Sequence, residues 1–309
     1  MRDALSKVLV QLANDDPRVV VLTGDHGYAL FDEFRKTHPA SFINCGIAEQ
    51  NMVGVAAGLA KGGFRPIVYG LSSFVPIRVL EQIKLDVAHD NLPVIFLGDG
   101  AGFVYSHLGT SHQSTEDIAS LRAIPNVQII SPADRHELVA GLFKAHSDAA
   151  PVYIRIGKAD IGDVHANLDR DDNLPMHLIA SANEDKPKMS FIGTGSMASV
   201  AKRLATEAFP GSVAWSVPYL SKLKAEHIVK MSADTQLVVT LEEHSINGGL
   251  GGAIAELLGE THPKPILRIG VKNNFSKTCG TYQHLLKEHE LDFESVVHQV
   301  SAKLDSLED

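Results

Sequence analysis

Residues 41–62 read Ser-Phe-Ile-Asn-Cys-Gly-Ile-Ala-Glu-Gln-Asn-Met-Val-Gly-Val-Ala-Ala-Gly-Leu-Ala-Lys-Gly. Ser41 to Cys45 form a short β-prone run that stops at Gly46. A helix rich in small residues is expected from Glu49 onward, because Val53, Ala56, Ala57 and Ala60 recur at helical spacing and mark a buried face. Gly54 and Gly58 lie one turn apart on that helix. Glycine costs about 0.5–1 kcal/mol inside a helix, so the pair marks a place where another backbone approaches closely. Glu49 is the exception in the pattern, a carboxylate at a strand-to-helix junction ahead of an almost wholly apolar helix. The positive end of the helix alone favours an acid there by only about 0.3–1 kcal/mol.

Outward from this stretch, apolar strands alternate with helical segments across residues 1–165. Strands are expected at Val19 to Gly24, Phe42 to Cys45, Pro66 to Tyr69, Val94 to Gly98, Val127 to Ile130 and Val152 to Ile156. Helices are expected over Arg2 to Ala13, Glu49 to Lys61, Phe74 to His89, Thr115 to Arg122 and Ala133 to His146. Near-continuous hydrophobic strands between helices imply a parallel sheet covered on both faces. Ligands of such sheets sit beyond the carboxyl ends of the strands, where Asp25, Glu49, Tyr69, Asp99 and Lys158 fall. Residues 166–188 are polar, weakly periodic and expected to be a linker. A second α/β unit spans 189–309, with strands at Met189 to Gly193, Gln236 to Leu241 and Ile266 to Ile269. Its helices are expected at Met197 to Ala208 and Ala253 to Leu258. The fold class is therefore α/β, two doubly wound domains of which the second is smaller.

Composition narrows the partners. The 309-residue chain carries a formal charge of −9 and no Lys/Arg cluster, which argues against nucleic acid or an anionic membrane. No run approaches the ~20 apolar residues of a membrane span. Two cysteines make no disulfide framework and suit a reduced cytoplasm, and the fifteen histidines are scattered.

Gly46-Ile47-Ala48-Glu49-Gln50-Asn51-Met52 with its Gly/Ala-rich helix resembles the pyrimidine-binding domain of the transketolase family of thiamine-diphosphate enzymes. Thr240-Leu241-Glu242-Glu243-His244-Ser245-Ile246-Asn247-Gly248-Gly249-Leu250-Gly251 resembles the C-terminal domain of the same enzymes and of 1-deoxyxylulose-5-phosphate synthase. The glycines of that second segment allow either a phosphate cradle at a helix N-terminus or tight packing. The resemblance covers nearly the whole chain. It implies that Glu49 hydrogen-bonds N1′ of the cofactor's aminopyrimidine and that Phe74 packs on the ring. Leu71 stands where the family has a second aromatic, and Asp25 is a further cofactor-binding candidate just after a strand. In Leu108-Gly109-Thr110-Ser111-His112-Gln113, His112 matches a histidine that faces the reacting carbonyl, a role suited to a side chain that titrates near neutrality. His107 is a weaker candidate for the same pocket. Arg2 and Lys158 align approximately with phosphate-contacting residues of the substrate site, although each also reads as a solvated charge.

The family's metal and diphosphate are held by a Gly-Asp-Gly motif with a downstream asparagine. Gly98-Asp99-Gly100 imitates it, but lies after the Glu49 helix and is expected to be a flexible loop over Gly98 to Gly102. No residue of this chain is therefore assigned to a metal. The resemblance implies thiamine diphosphate and Mg²⁺, held mainly by an N-terminal transketolase-like subunit, in an α2β2 heterotetramer. The implied reaction moves a two-carbon unit from a ketose or related keto donor to an aldehyde acceptor. Leu108 and Gly98 replace two polar groups that read the donor in the family. Alternatives are a pyruvate-using enzyme, like deoxyxylulose-phosphate synthase or a 2-oxo-acid dehydrogenase β subunit, and a non-catalytic scaffold.

Overall fold

A computed structural model describes residues 1–158, 160–181 and 187–308. Six strands build the first sheet: β1 (Val19–Thr23), β2 (Phe42–Asn44), β3 (Arg65–Leu71), β4 (Ile95–Asp99), β5 (Gln128–Ile130) and β6 (Val152–Ile156). All pair in parallel, in the order β2-β1-β3-β4-β6-β5. Each falls where the hydrophobic runs predict it, to within about two residues at either end. Strands β1, β4 and β6 are buried at every position. That burial requires helices on both faces.

One face carries α1 (Arg2–Asp15), α2 (Asp32–Thr37) and, further along the chain, α6 (Arg135–Asp148). The other carries α3 (Glu49–Lys61), a broken segment containing α4 (Leu80–Gln82), and α5 (Asp117–Arg122). The small residues of α3 do what their spacing predicts: Met52, Val53, Ala56, Ala57 and Ala60 are buried. Gly54 and Gly58 face outward, with open space where a Cβ would stand. The single helix expected over 74–89 is instead a 3₁₀ turn at Ile77–Val79, α4, and a π-helical run at Ile83–Ala88. Pro76, which has no amide hydrogen, leaves residues 74–76 outside any regular helix.

The chain leaves β1 for β2 on one side and returns to β3 on the other. The strand order thus reverses at β1, which opens a crevice beyond the carboxyl ends of β1 and β3.

The second sheet contains β7 (His177–Ala180), β8 (Met189–Gly193), β9 (Val213–Ser216), β10 (Leu237–Ser245) and β11 (Ile266–Val271), in the order β11-β10-β8-β9-β7. Its helices are α7 (Met197–Arg203, prolonged by a π turn), α8 (Ala225–Ser232), α9 (Leu250–Thr261), α10 (Tyr282–Glu288) and α11 (Phe293–Glu308). Only β7 is antiparallel, along the edge of β9. It comes from the stretch expected to be a linker, where Leu178 is exposed between the buried His177 and Ile179. Three residues of alternation are too few to register as a strand against the polar residues around them. Residues 182–186 of that stretch lie outside the described residues.

The domains share one core. The apolar cluster beneath α3 runs through Ile118 and Leu121 of α5 into Leu250, Ile254 and Leu258 of α9. No helix among the described residues is long and apolar enough to cross a membrane.

Candidate functional site

Four segments meet at the crevice: the loop after β1, the first turn of α3, the turn after β3, and the 3₁₀ turn Thr110–His112. Glu49 is nearly inaccessible, with its side chain 5% exposed. Its Oε2 accepts a hydrogen bond from Nη1 of Arg78 at 3.1 Å. Its Oε1 is buried and has no hydrogen-bond partner. An unsatisfied buried acceptor costs about 1–3 kcal/mol, so such an atom points to something the chain does not itself supply. The Arg78 guanidinium carbon lies 4.0 Å from the centroid of the Phe74 ring. His112 stands 5.5 Å from the same ring, edge-on, and His26 stands 6.2 Å from it.

The local sequence explains this convergence. The carbonyl of Leu71 accepts from the amides of Phe74 and Val75, at 2.8 and 2.7 Å, and turns the chain sharply at the end of β3. Leu71 itself is buried and shapes the crevice through that carbonyl. The amide of Arg78 donates to the carbonyl of Phe74 at 3.1 Å, which stacks their side chains one helical turn apart. After β1, Thr23 Oγ1 donates to the carbonyl of His26 at 2.9 Å and folds that loop inward.

The fold thus brings Glu49, Phe74 and His112, the residues singled out by the resemblance, to one place. Arg78 and His26 lie with them and are absent from the expectations above; the Phe74-to-Arg78 spacing is the signal in the sequence that points to the first. Asp25 is exposed and in a left-handed conformation, with φ of 63°. It accepts from Tyr28 Oη at 2.5 Å and Asn44 Nδ2 at 3.1 Å, bonds that hold its carboxyl below the usual range. These bonds brace the loop after β1, whose Gly24 borders the Glu49 side chain. His107 is exposed on the 3₁₀ turn Ser106–Leu108. Lys158 is turned to the second domain, pairing with Asp160 at 2.6 Å and lying 5.6 Å from the Tyr282 ring.

The Gly98-Asp99-Gly100 segment is not the flexible loop expected. Gly98 and Asp99 belong to β4, and a Cβ at Gly98 would stand 2.5 Å from Tyr153 Oη. The glycine that replaces the family's histidine is therefore required by the tyrosine on the neighbouring strand. Asp99 is buried, and its Oδ2 accepts from Tyr69 Oη at 2.7 Å and Tyr105 Oη at 3.2 Å. Burial, then the adjacent carboxylate, push the Tyr105 phenol up to about 12 and Tyr69 higher still, while Arg2 acts in the opposite sense on both. Arg2 thus serves this tyrosine–aspartate cluster electrostatically from an exposed position at the start of α1.

The other carboxylates of interest face inward between the domains. Arg155 donates through Nε to both oxygens of Asp117, at 2.9 and 3.1 Å, and through Nη2 to the carbonyls of Ser114 and Glu243. Tyr153 Oη donates to Asp117 Oδ2 at 2.7 Å. Glu243 Oε1 accepts from the amide of Phe103 at 2.6 Å, while its Oε2 accepts from Ser196 Oγ and Tyr282 Oη. In the glycine segment, Glu242 accepts from the amides of Leu250 and Gly251, at 2.7 and 2.8 Å. The first turn of α9 is therefore already capped by an internal carboxyl group. Gly249 lies so close to Glu242 Oε2 and His244 Nδ1 that a side chain would collide. Tight packing, not a phosphate cradle, is the reason for these glycines.

Comparison with known proteins accounts for both halves of this architecture. Residues 1–163 match the model of the transketolase pyrimidine binding domain, and residues 180–296 match that of the transketolase C-terminal domain. The chain belongs to the transketolase family. It is 33% identical over 302 residues to an apulose-4-phosphate transketolase subunit of Phocaeicola vulgatus, covering 96% of this chain and 94% of that one. A 6-deoxy-6-sulfo-D-fructose transketolase subunit of a Clostridium species is 30% identical over 311 residues, covering 98% and 95%. Among solved structures, a split-gene transketolase described as an inactive β4 tetramer superposes with a TM-score of 0.85 at 33% identity, covering 98% of each chain. Transketolases are transferases, and thiamine diphosphate is the cofactor of the family.

The transketolase crevice here fits the pyrimidine end of that cofactor. Glu49 Oε1 is a buried carboxyl oxygen without a partner, able to share a proton with a ring nitrogen, and Phe74 supplies an aromatic face in the same crevice. Among the described residues, no group of three or more His, Cys, Asp or Glu is arranged to hold a metal ion.

Proposed function

We propose that this chain is the C-terminal, β-type subunit of a split transketolase, and that Glu49 is its catalytic carboxylate. The observation that carries the reading is the buried, unpartnered Oε1 of Glu49 at the switch point of the parallel sheet. Two relatives of nearly equal length are named as transketolase subunits, which supports a division of the enzyme between two polypeptides.

When bound, thiamine diphosphate supplies the nucleophilic carbon that breaks and remakes a carbon–carbon bond next to a carbonyl. The residues of this chain do the remainder. Glu49 holds a proton at N1′ through Oε1. Phe74 fixes the plane of the aminopyrimidine and excludes water from one side. His112, beside Phe74, orients the donor carbonyl or exchanges a proton with its oxygen. The donor is a ketose or related keto compound and the acceptor an aldehyde, in a reduced cytoplasm. The diphosphate and its Mg²⁺ are bound by the complementary N-terminal subunit, two copies of which pair with two of this chain. The outward Gly54/Gly58 stripe on α3 gives that assembly a flat contact surface.

The test is reconstitution. The chain mixed with the complementary subunit, thiamine diphosphate, Mg²⁺ and a panel of ketose donors is expected to transfer a two-carbon unit, and each subunit alone to be inactive. Full activity of the isolated chain would overturn the division of labour. Release of carbon dioxide from pyruvate by the pair, without ketose transfer, would overturn the reaction class.

A further inference from the structure

Arg78 joins the two groups that would recognise the aminopyrimidine. Its Nη1 donates to Glu49 Oε2 at 3.1 Å, and its guanidinium carbon covers one face of the Phe74 ring at 4.0 Å. The two partners come from different elements, Glu49 from the first turn of α3 and Phe74 from the turn after β3. The contact with Oε2 leaves Oε1 buried with no partner. We infer that Arg78 is a positioning residue that sets the rotamer of Glu49, presenting Oε1 to N1′, and locks the Phe74 ring against its rear face. This inference rests on the cofactor reading given above.

The physical case is one of geometry and chemistry together. A carboxylate with one oxygen bound to a guanidinium loses the rotation that would average its two oxygens. The planar guanidinium can also lie flat on an aromatic face while donating in its own plane, which an ammonium group cannot do. Arg78 retains 44% exposure of its side chain, so its head is held by these two contacts rather than by enclosure. It is also fixed from the backbone side, since its amide bonds back to Phe74. The arrangement preorganises the site before a cofactor arrives.

The experiment uses the reconstituted complex with its complementary subunit and measures cofactor affinity directly by calorimetric titration, with melting temperature as a folding control. Two ligands are compared: thiamine diphosphate, and an analogue with carbon in place of N1′. Arg78→Met is expected to weaken thiamine diphosphate about 10–100-fold, the loss of a charge-assisted hydrogen bond with its alignment, in a complex whose melting temperature falls but stays above that of the titration. It is expected to weaken the carbon analogue much less, because only the Phe74 contribution remains to be lost. Arg78→Lys should recover part of the selectivity for N1′ and little of the analogue's affinity. In the Glu49→Gln background, Arg78→Met should add little. Equal weakening of both ligands by Arg78→Met, or no weakening of either, would overturn the inference while leaving Glu49 in place. Should Glu49→Gln weaken both ligands equally, or neither, the cofactor reading fails, and with it the role of Arg78.

Discussion

Glu49 and Glu243 are both buried acids close to where a strand gives way to a helix, and the chain completes them in opposite ways. Every oxygen of Glu243 is engaged, by the amide of Phe103 and the hydroxyls of Ser196 and Tyr282. Its neighbour Glu242 is equally well supplied by two amides at the start of α9. Glu49 has one oxygen on Arg78 and the other on nothing. Burial alone therefore does not mark a functional acid. The informative combination is unused hydrogen-bonding capacity at a crevice, since Asp292 Oδ2, between α10 and α11, is also buried without a partner.

This contrast can be broken most sharply at Glu49. Glu49→Gln keeps the shape and removes the titratable proton, so kcat of the reconstituted enzyme should fall by about 10²–10⁴-fold with the melting temperature of this chain unchanged. Glu243→Gln should do the reverse, with turnover per folded molecule retained and stability reduced by about 1–3 kcal/mol in urea unfolding. If the Glu49→Gln enzyme keeps full turnover, the unused oxygen has no catalytic meaning.

A second test concerns the interdomain contact itself. Arg155→Met strands Asp117 in a site with no exposure, and breaking a buried pair in this way costs about 3–5 kcal/mol. The expected result is a lower urea midpoint and loss of coincident unfolding of the two domains. An unchanged midpoint would show that the shared apolar cluster alone joins them.

The smallest expected effect is a dependence on pH that divides Glu242 from His244. Burial pushes the Glu242 carboxyl up to about 7 and holds the His244 imidazole down to about 4. The unfolded chain protonates His244 below its ordinary 6.5, so stability from that group is complete above 6.5 and is lost as pH falls toward 4. Glu242 acts in the other direction. Its folded form keeps a proton that the unfolded chain releases above 4.5, so its contribution is complete below 4.5 and is lost as pH rises toward 7. Between these limits the two slopes oppose each other. Melting curves across the window should show His244→Gln gaining stability on acidification and Glu242→Gln losing it, each slope worth about 1–3 kcal/mol, with the unsubstituted chain changing least. Parallel slopes in the two variants would refute the opposition.

Much of the fold is legible in the sequence because its causes are local. Continuous apolar runs specify buried parallel strands, and the Val53–Ala60 spacing specifies the face of α3 against the sheet. The strand β7 is not legible, because its short alternation is stabilised by an edge partner more than thirty residues downstream in β9. Glu49, Phe74 and His112 are legible only through resemblance to a family; nothing in their spacing shows that they meet. Arg78 and His26 are not legible for the complementary reason, since each gains meaning only when loops from different strands are folded together. Gly98 shows a further limit. In the sequence it looks like a lost donor-reading histidine, whereas in the fold it is the space that the Tyr153 ring occupies.

The Arg155 guanidinium, bonded at once to Asp117, to the carbonyl of Ser114 and to the carbonyl of Glu243, has a consequence for assembly. A chain hinged between its domains would have to surrender that hinge freedom when it met another subunit, and binding would be weakened accordingly. Here the freedom is removed within the single chain. A second polypeptide would meet two domains already joined by that guanidinium and by the apolar cluster that runs from α3 to α9, so their docking adds no ordering cost to its capture.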